Sequence, residues 1–211
     1  MTQPRSRTSA TNGHIVITGT GRAGTTFLVQ LFTALGFDTG FSLDQAMRQV
    51  NAISHAGLER PSVHGANPYV IKSPWFTDQL VEALENRRTE IYAAIIPLRD
   101  LFQAAESRRR VYREALAKGF DPLKFPGTLW HTSDPGNQEE KLAAQFYKAV
   151  FPLVKYEIPV FFLEFPRIVR DEGYLFRKLE PLMEDHGVGR AEFQDAFRCV
   201  AKPHLVHEFQ E

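Results

Sequence analysis

The stretch HIVITGTGRAGTTFLVQLFTAL, residues 14–35, decides the fold of this chain. It consists of an apolar run, a glycine-rich turn and a second apolar run, which predicts a buried strand over 14–18 and a helix over 24–35. The turn, residues 19–26, keeps the glycine spacing of the phosphate-binding pattern G-x-x-x-x-G-K-[ST]. It departs from that pattern at one position, because Thr25 stands where the lysine should be.

A glycine-rich turn of this kind can bind an anion. Glycines let backbone N–H groups approach the ligand closely, and the N-terminus of the following helix adds partial positive charge. Phosphoryl transfer from ATP normally also needs the loop lysine and a magnesium ion. Here Arg22, Thr25 and Thr26 replace that set, so the sequence predicts an anion site that is not arranged for magnesium-dependent ATP chemistry. The alternative, in which the glycines serve only the turn, stays open at this point.

Composition limits the class of protein. The chain has 211 residues, of which 43% are hydrophobic, and we expect one domain over 14–211 behind a flexible N-terminal tail, residues 1–13. Its 25 basic and 25 acidic residues cancel, which favours neither nucleic acid nor a membrane surface as a partner. Cys199 is the only cysteine, so no intrachain disulfide or cysteine-based metal site is predicted. With no apolar leader segment, we expect a protein of the cytoplasm.

The rest of the chain alternates apolar segments with helical patterns, without an internal repeat. Further strands are predicted over 69–71, 90–97 and 160–164, and helices over 43–53, 76–86, 100–118, 138–155, 170–185 and 191–200. This alternation predicts an α/β fold with a mainly parallel central sheet flanked by helices. Two irregular segments, 36–67 and 119–136, are expected to contact a variable substrate, because connecting segments often carry binding residues.

Three polar residues lie where predicted strands end. In parallel sheets ligands bind beyond the carboxyl ends of the strands, and Thr18, Lys72 and Arg99 all fall at that edge. Ser107 follows Arg99 by eight residues, a little over two helical turns. An arginine fork with a nearby hydroxyl suits a phosphate. Taken alone, such a pair is also compatible with ordinary surface residues.

Together with the loop, this pair resembles the sulfotransferase superfamily that uses 3′-phosphoadenosine 5′-phosphosulfate. The family's 5′-phosphosulfate loop, [KR]-x-G-T-T-x-L after the first strand, is similar to RAGTTFL at 22–28. Its 3′-phosphate site, an arginine at a strand end and a serine eight positions later, is similar to Arg99 and Ser107. The strand end IKSP at 71–74 and the segment FLEFPRIVRDEGYLFRKLEPLM at 162–183 resemble family segments more loosely.

The resemblance implies a three-layer fold like that of P-loop NTPases, and it implies roles for individual residues. Arg22 would stabilise the leaving 5′-phosphate oxygen as the S–O bond breaks, and Lys72 would hold the transferring sulfuryl oxygens. Arg99 and Ser107 would bind the 3′-phosphate. The 5′-phosphate would be bound by the loop residues Gly21, Arg22, Ala23, Gly24, Thr25, Thr26 and Phe27. For Lys72 the alternative is a solvent-exposed lysine at a strand end.

The general base is where the chain departs from the family. The best-known cytosolic members have a histidine shortly after the lysine, whereas this chain has Ser73 and Pro74. Imidazole has a suitable unperturbed pKa for the role. The candidate bases lie in the variable segments and are His55, His64, Glu59, Asp44 and His131. Residues 187–190 are the candidate for the C-terminal loop that completes the 3′-phosphate site in many members.

The sequence therefore favours a sulfotransferase that transfers a sulfuryl group by in-line displacement, without a metal, to a hydroxyl or amine. The donor would be 3′-phosphoadenosine 5′-phosphosulfate, the product 3′,5′-adenosine bisphosphate, and the acceptor a small molecule or carbohydrate. Two alternatives remain: a P-loop small-molecule kinase using Mg-ATP, and a non-catalytic nucleotide-binding protein of the same fold. The aromatic and proline residues of the two irregular segments suit either a sugar or a flat apolar ring.

Overall fold

The computed structural model describes residues 13–59, 67–73, 82, 84–85 and 90–210. Three predictions fall outside these residues: nearly all of the N-terminal tail, most of the helix over 76–86, and the candidate base His64.

Four parallel strands form the central sheet, in the order β2-β1-β3-β4. They are β1 His14–Ile17, β2 Val70–Lys72, β3 Ile91–Leu98 and β4 Val160–Glu164. In the register of the sheet, Ile17 lies beside both Lys72 and Ile95, so the strands end at one edge. This arrangement confirms the predicted α/β fold and its parallel sheet.

Helices cover both faces of the sheet, because successive side chains of a strand point to opposite faces. In β1, Ile15 and Ile17 lie in the larger hydrophobic core, while Val16 lies in a second core with Leu153. The helices are α1 Thr25–Ala34, α2 Leu43–Arg48, α3 Leu101–Ala117, α4 Gln138–Lys155, α5 Arg167–Arg170, α6 Glu172–Asp185 and α7 Arg190–Val200. The larger core takes side chains from α1, α6 and α7, and the second core takes them from α4, which also packs against α3.

Two of the predicted helices have different bounds in the structure. The helix predicted over 43–53 ends at Arg48, and Asn51 then accepts hydrogen bonds from the N–H groups of Ile53 and Ser54 at 2.9 Å each. Such local side-chain bonds compete with a helix. The helix predicted over 170–185 is present and begins at Glu172, because Asp171 caps it by accepting a hydrogen bond from the Tyr174 N–H at 2.8 Å.

The strand order creates a crevice at the carboxyl edge of the sheet. The strands that follow β1 along the chain, β2 and β3, lie on opposite sides of it. In open α/β sheets, ligands bind at such a reversal of strand order. The predicted placement of Thr18, Lys72 and Arg99 at this edge is confirmed, and the Thr18 hydroxyl donates to the Ser73 carbonyl at 3.0 Å.

Removal of a single aromatic ring from the larger core should destabilise the protein. Phe32 has no exposed surface, and its ring packs edge-on against Phe37 with centroids 5.0 Å apart. Phe32→Ala is expected to lower the free energy of unfolding by about 3–5 kcal/mol, measured by urea denaturation. Leu116→Ala is the control, because Leu116 is 58% exposed and should change that free energy by less than about 0.5 kcal/mol. Equal losses would contradict this account of the core.

Candidate anion-binding site

The turn after β1 makes close contacts that exclude side chains at its glycines. Gly21 and Gly24 have φ of 70° and 85°, in the left-handed region that favours glycine. A Cβ at Gly21 would lie 2.9 Å from Nη2 of Arg108, and one at Gly24 would lie 2.9 Å from Cδ2 of Phe165. The glycines therefore serve both the turn and the close approach of the loop to its neighbours.

The N-terminus of α1 is open to an anion. Gly24 is its N-cap, no side chain caps the helix, and its first turn contains no acidic residue. The first N–H groups of a helix have no partner within the helix and carry partial positive charge. Thr25 and Thr26 begin the helix and face a cavity of about 640 Å³.

Arg22 joins the loop to two distant parts of the chain. Its Nε donates to the Ser107 hydroxyl at 3.0 Å, and its Nη1 donates to the Ser54 carbonyl. Burial, together with Arg99 and Arg110, lowers the pKa of Arg22 to about 10. Ser107, predicted as a partner of Arg99 in phosphate binding, is thus hydrogen-bonded to Arg22.

Arg99 lies beside Arg22 and contacts the C-terminal segment. Its Nη1 donates to the Arg22 carbonyl at 3.4 Å, and its Nη2 donates to the His207 carbonyl. The Cζ atom is 5.2 Å from the ring centroid of Phe165 and 5.6 Å from that of Phe209. Burial lowers the pKa of Arg99 to about 10, although Asp100 and Glu208 act in the opposite direction.

Arg108 is a third arginine of the site and the most deeply buried of the three, and the sequence did not predict it. It is 6% exposed and donates to the carbonyls of Thr20, at 2.5 Å, and Thr128, at 2.7 Å. Its Nε is buried without a hydrogen-bond partner, and burial followed by Arg22 lowers its pKa to about 9. A signal was present in the sequence: Arg108 shares a helical stripe with the buried residues Ala104, Val111 and Ala115.

These three arginines bring positive charge together without an ion-pair partner. Within the described part of the chain, no carboxylate lies within ion-pair distance of Arg22, Arg99 or Arg108. Their hydrogen-bond acceptors there are carbonyl and hydroxyl oxygens. Buried cations normally have an anionic partner, because an unpaired buried charge is costly. The cluster therefore fits an anionic ligand.

Lys72 is buried, which excludes a solvent-exposed lysine at the strand end. It is 4% exposed, and its Nζ donates to Thr26 Oγ1 at 2.9 Å, the Gly57 carbonyl at 2.6 Å and Glu59 Oε1 at 2.9 Å. Burial lowers the pKa of Lys72, and the Glu59 carboxylate opposes that shift. Unlike the three arginines, this cation has an anionic partner.

Of the candidate bases, two line the cavity. These are His55 and Glu59. Asp44 instead pairs with Arg48 at 2.8 Å on the surface, and His131 is exposed and outside the cavity lining. Burial, then Arg22, Arg110 and Lys202, lower the pKa of His55, whereas Glu114 raises it.

The C-terminal segment, residues 202–210, also contributes to the cavity, and we term it the strap. Lys202, Leu205, Val206 and His207 line the cavity, whereas the candidate loop 187–190 does not. Burial lowers the pKa of His207, as do Arg110, His55, Arg22 and Arg99. The sequence analysis did not select His207, because no motif surrounds it.

The cavity brings most of the predicted site residues together. Ala23 is fully buried and does not line it. The opposite wall comes from the irregular segment 119–136 and includes Phe125, Leu129 and Trp130. The predicted residues that line the cavity are Gly21, Arg22, Gly24, Thr25, Thr26, Phe27, His55, Glu59, Lys72, Arg99 and Ser107.

Family models, curated proteins and solved structures give no match to this chain. The interpretation of the site therefore rests on its residues and their geometry. Among the described residues, no group of three His, Cys, Asp or Glu side chains is placed to hold a metal ion. Nor does that part of the chain contain a helix with the length and apolar character needed to cross a membrane.

The pH dependence of sulfate binding tests the site, because His55 and His207 line the cavity. Sulfate stays a dianion at mildly acidic pH, so only the protein titrates. Without an anion, the depressed pKa values of His55 and His207 mean that the unfolded chain binds protons more readily, so stability falls as pH drops below about 6.5. A bound dianion raises both pKa values, so binding takes up protons. Sulfate affinity, measured from thermal shifts, should rise as pH falls, by up to about tenfold per pH unit for each proton taken up.

His55→Gln should reduce this pH dependence, because one of the two titrating groups is removed. His131→Gln is the matched control and should retain it, since His131 is exposed and lies outside the cavity lining. An affinity for sulfate that does not change with pH in the unmodified protein would contradict the placement of the anion beside these imidazoles.

Proposed function

We propose that the protein is a sulfotransferase that moves a sulfuryl group from 3′-phosphoadenosine 5′-phosphosulfate to a hydroxyl or amine of a small acceptor. The observation that carries the proposal is the convergence of Arg22, Arg99 and Ser107 on one cavity. Arg22 and Ser107 are 85 positions apart in the sequence and are hydrogen-bonded at 3.0 Å. The loop and the strand-end arginine that suggested the family therefore belong to one site.

The residues present fit a donor that carries anionic groups at two positions. The open N-terminus of α1, with Arg22, offers one positive region, and Arg99 offers a second. The absence of a Cβ at Gly24 leaves room at the N-cap of α1, where any side chain would collide with Phe165. A volume of about 640 Å³ is within the usual range for ligand pockets.

When bound, the donor supplies an activated sulfuryl group. Thr25, Thr26 and the first amides of α1 would bind the 5′-phosphate end, and Arg99 the 3′-phosphate. Arg22 would donate to the 5′-phosphate oxygen that receives the electron pair of the breaking S–O bond, where negative charge accumulates. Lys72 would hold a sulfuryl oxygen after giving up one of its three present acceptors.

The acceptor needs a group that takes its proton as the new O–S or N–S bond forms. Glu59 lines the cavity, and its Oε1 lies 2.9 Å from Nζ of Lys72, so it is adjacent to the group that would hold the sulfuryl oxygens. We therefore assign the base to Glu59. His55, which also lines the cavity and whose pKa burial lowers in the absence of an anion, is the second candidate.

The acceptor side of the cavity favours a flat apolar ring over a sugar. Phe125, Leu129 and Trp130 contribute apolar surface there. The Thr128 hydroxyl donates to the Phe125 carbonyl at 2.9 Å, and the Thr128 carbonyl accepts from Arg108. The hydrogen-bonding groups of Thr128 are thus already used within the protein, whereas a sugar needs many polar partners.

Binding of the product tests the proposal. At 100 times its Kd, 3′,5′-adenosine bisphosphate should stabilise the protein by about 2.7 kcal/mol, measured as a thermal shift. Arg99→Ala should lose most of the shift, because it removes the positive charge that binds the 3′-phosphate. Arg113→Ala should keep it, since Arg113 is exposed on the same helix as Ser107. A larger shift with Mg-ATP, or none with the bisphosphate, would favour the kinase or a different ligand.

Transfer itself should depend on Lys72. Lys72→Met should lower the rate of sulfuryl transfer about 10²–10³-fold, because a charge that stabilises the transition state is removed. The rate is measured as bisphosphate released from the donor in the presence of a panel of phenols. Lys118→Met, at a half-exposed lysine paired with Glu114, is the control. A variant at Lys72 that folds and turns over at the normal rate would exclude this role.

A further inference from the structure

The strap makes specific contacts with the proposed 3′-phosphate site. The His207 carbonyl accepts a hydrogen bond from Nη2 of Arg99, and the Phe209 ring lies beside the same guanidinium. The strap therefore gives Arg99 a hydrogen-bond acceptor and a cation–π partner from within the chain.

Gln103 is the residue that fixes the strap over Arg99. Its side-chain amide pairs with the main chain of Phe209 in both directions: Nε2 donates to the Phe209 carbonyl at 2.5 Å, and Oε1 accepts from the Phe209 N–H at 2.9 Å. We term this pair of hydrogen bonds the clamp. Gln103 lies in the first turn of α3 and Arg99 just before that helix, so the clamp and the arginine are neighbours on one stretch of chain.

The strap has few other attachments. Glu208 pairs with Arg170 at 2.8 Å, but both side chains are about half exposed or more, and such pairs contribute little stability. Most strap residues are exposed or only partly buried. Within the strap, Val206 packs against the larger hydrophobic core, whereas His207 and Phe209, which contact Arg99, belong to neither core. Residues 207–210 can therefore leave Arg99 without disrupting either core.

A phosphate and the strap compete for the same group. A bidentate bond from a guanidinium to a phosphate uses two N–H groups on one edge, and each of the two open edges of an arginine includes one of the two N–H groups of Nη2. In Arg99 one of these two N–H groups already donates to the His207 carbonyl, so the strap occupies one edge. The partial negative charge of that carbonyl would also repel a phosphate at the neighbouring edge.

We propose that the strap is an internal ligand of Arg99 that an anionic nucleotide must displace, and that Gln103 sets the affinity of the site by holding the strap down. The inference rests on the proposed function, because it takes Arg99 as the 3′-phosphate site. A conformational equilibrium of this kind reduces apparent affinity by the fraction of molecules in which the strap is released. Weakening the clamp should therefore strengthen binding.

Gln103→Ala tests the proposal, because it removes both hydrogen bonds to Phe209. The main-chain N–H of residue 103 keeps its hydrogen bond to Asp100, the N-cap of the helix. We expect faster amide hydrogen exchange over 205–210 in the ligand-free variant, and a several-fold lower Kd for 3′,5′-adenosine bisphosphate. In the unmodified protein, the bisphosphate should increase exchange in the same segment. Arg113→Ala is the control, because Arg113 lies on the same helix as Gln103 but further from the strap. It should change neither the exchange rate over 205–210 nor the Kd for the bisphosphate.

The outcomes separate this inference from the proposed function. If the bisphosphate binds the unmodified protein and Gln103→Ala binds it with equal or lower affinity, the strap completes the site and the competition is excluded. If binding appears only after Gln103→Ala or after truncation at Lys202, the strap is a strong competitor. If no variant binds the bisphosphate while exchange over 205–210 still responds to Gln103→Ala, the nucleotide assignment fails, and with it the role of the strap as its competitor.

Discussion

Positive charge without an ion-pair partner is the constraint on which the site depends. Arg22, Arg99 and Arg108 are held together at the carboxyl edge of the sheet, and the described residues supply them with carbonyl and hydroxyl acceptors but with no carboxylate at ion-pair distance. These neutral acceptors do not neutralise the charges, and Nε of Arg108 has no acceptor at all, so burial lowers the pKa of all three arginines. An anion would supply the missing charge.

The same guanidinium groups also hold the irregular parts of the chain in place. Arg22 binds the Ser54 carbonyl, Arg108 binds the Thr20 and Thr128 carbonyls, and Arg99 binds the strap. Each arginine therefore serves both a candidate ligand and a segment without regular secondary structure. Binding of an anion to these arginines would therefore also change how firmly these segments are held, because the ligand and the segments use the same N–H donors.

Local signals predicted the elements well where nothing competed with them. The bounds of β4 and α4 agree with the prediction, since an apolar run and an uninterrupted amphipathic pattern define them. The predicted bounds differ from the structure at the end of α2 and at the start of α6, where the side chains of Asn51 and Asp171 accept hydrogen bonds from backbone N–H groups. Such caps decide helix bounds through single hydrogen bonds, which periodicity does not detect.

By itself, the sequence determined the strand, loop and helix of residues 14–35, the parallel sheet, and the placement of Thr18, Lys72 and Arg99 at one edge, because period, glycine spacing and strand ends are local properties. Only the tertiary structure decided which groups meet there. It paired Arg22 with Ser107, buried Arg108, and brought the strap to Arg99 from 108 positions away. Contacts between such distant residues depend on how helices and loops pack across the sheet, and no local propensity encodes them.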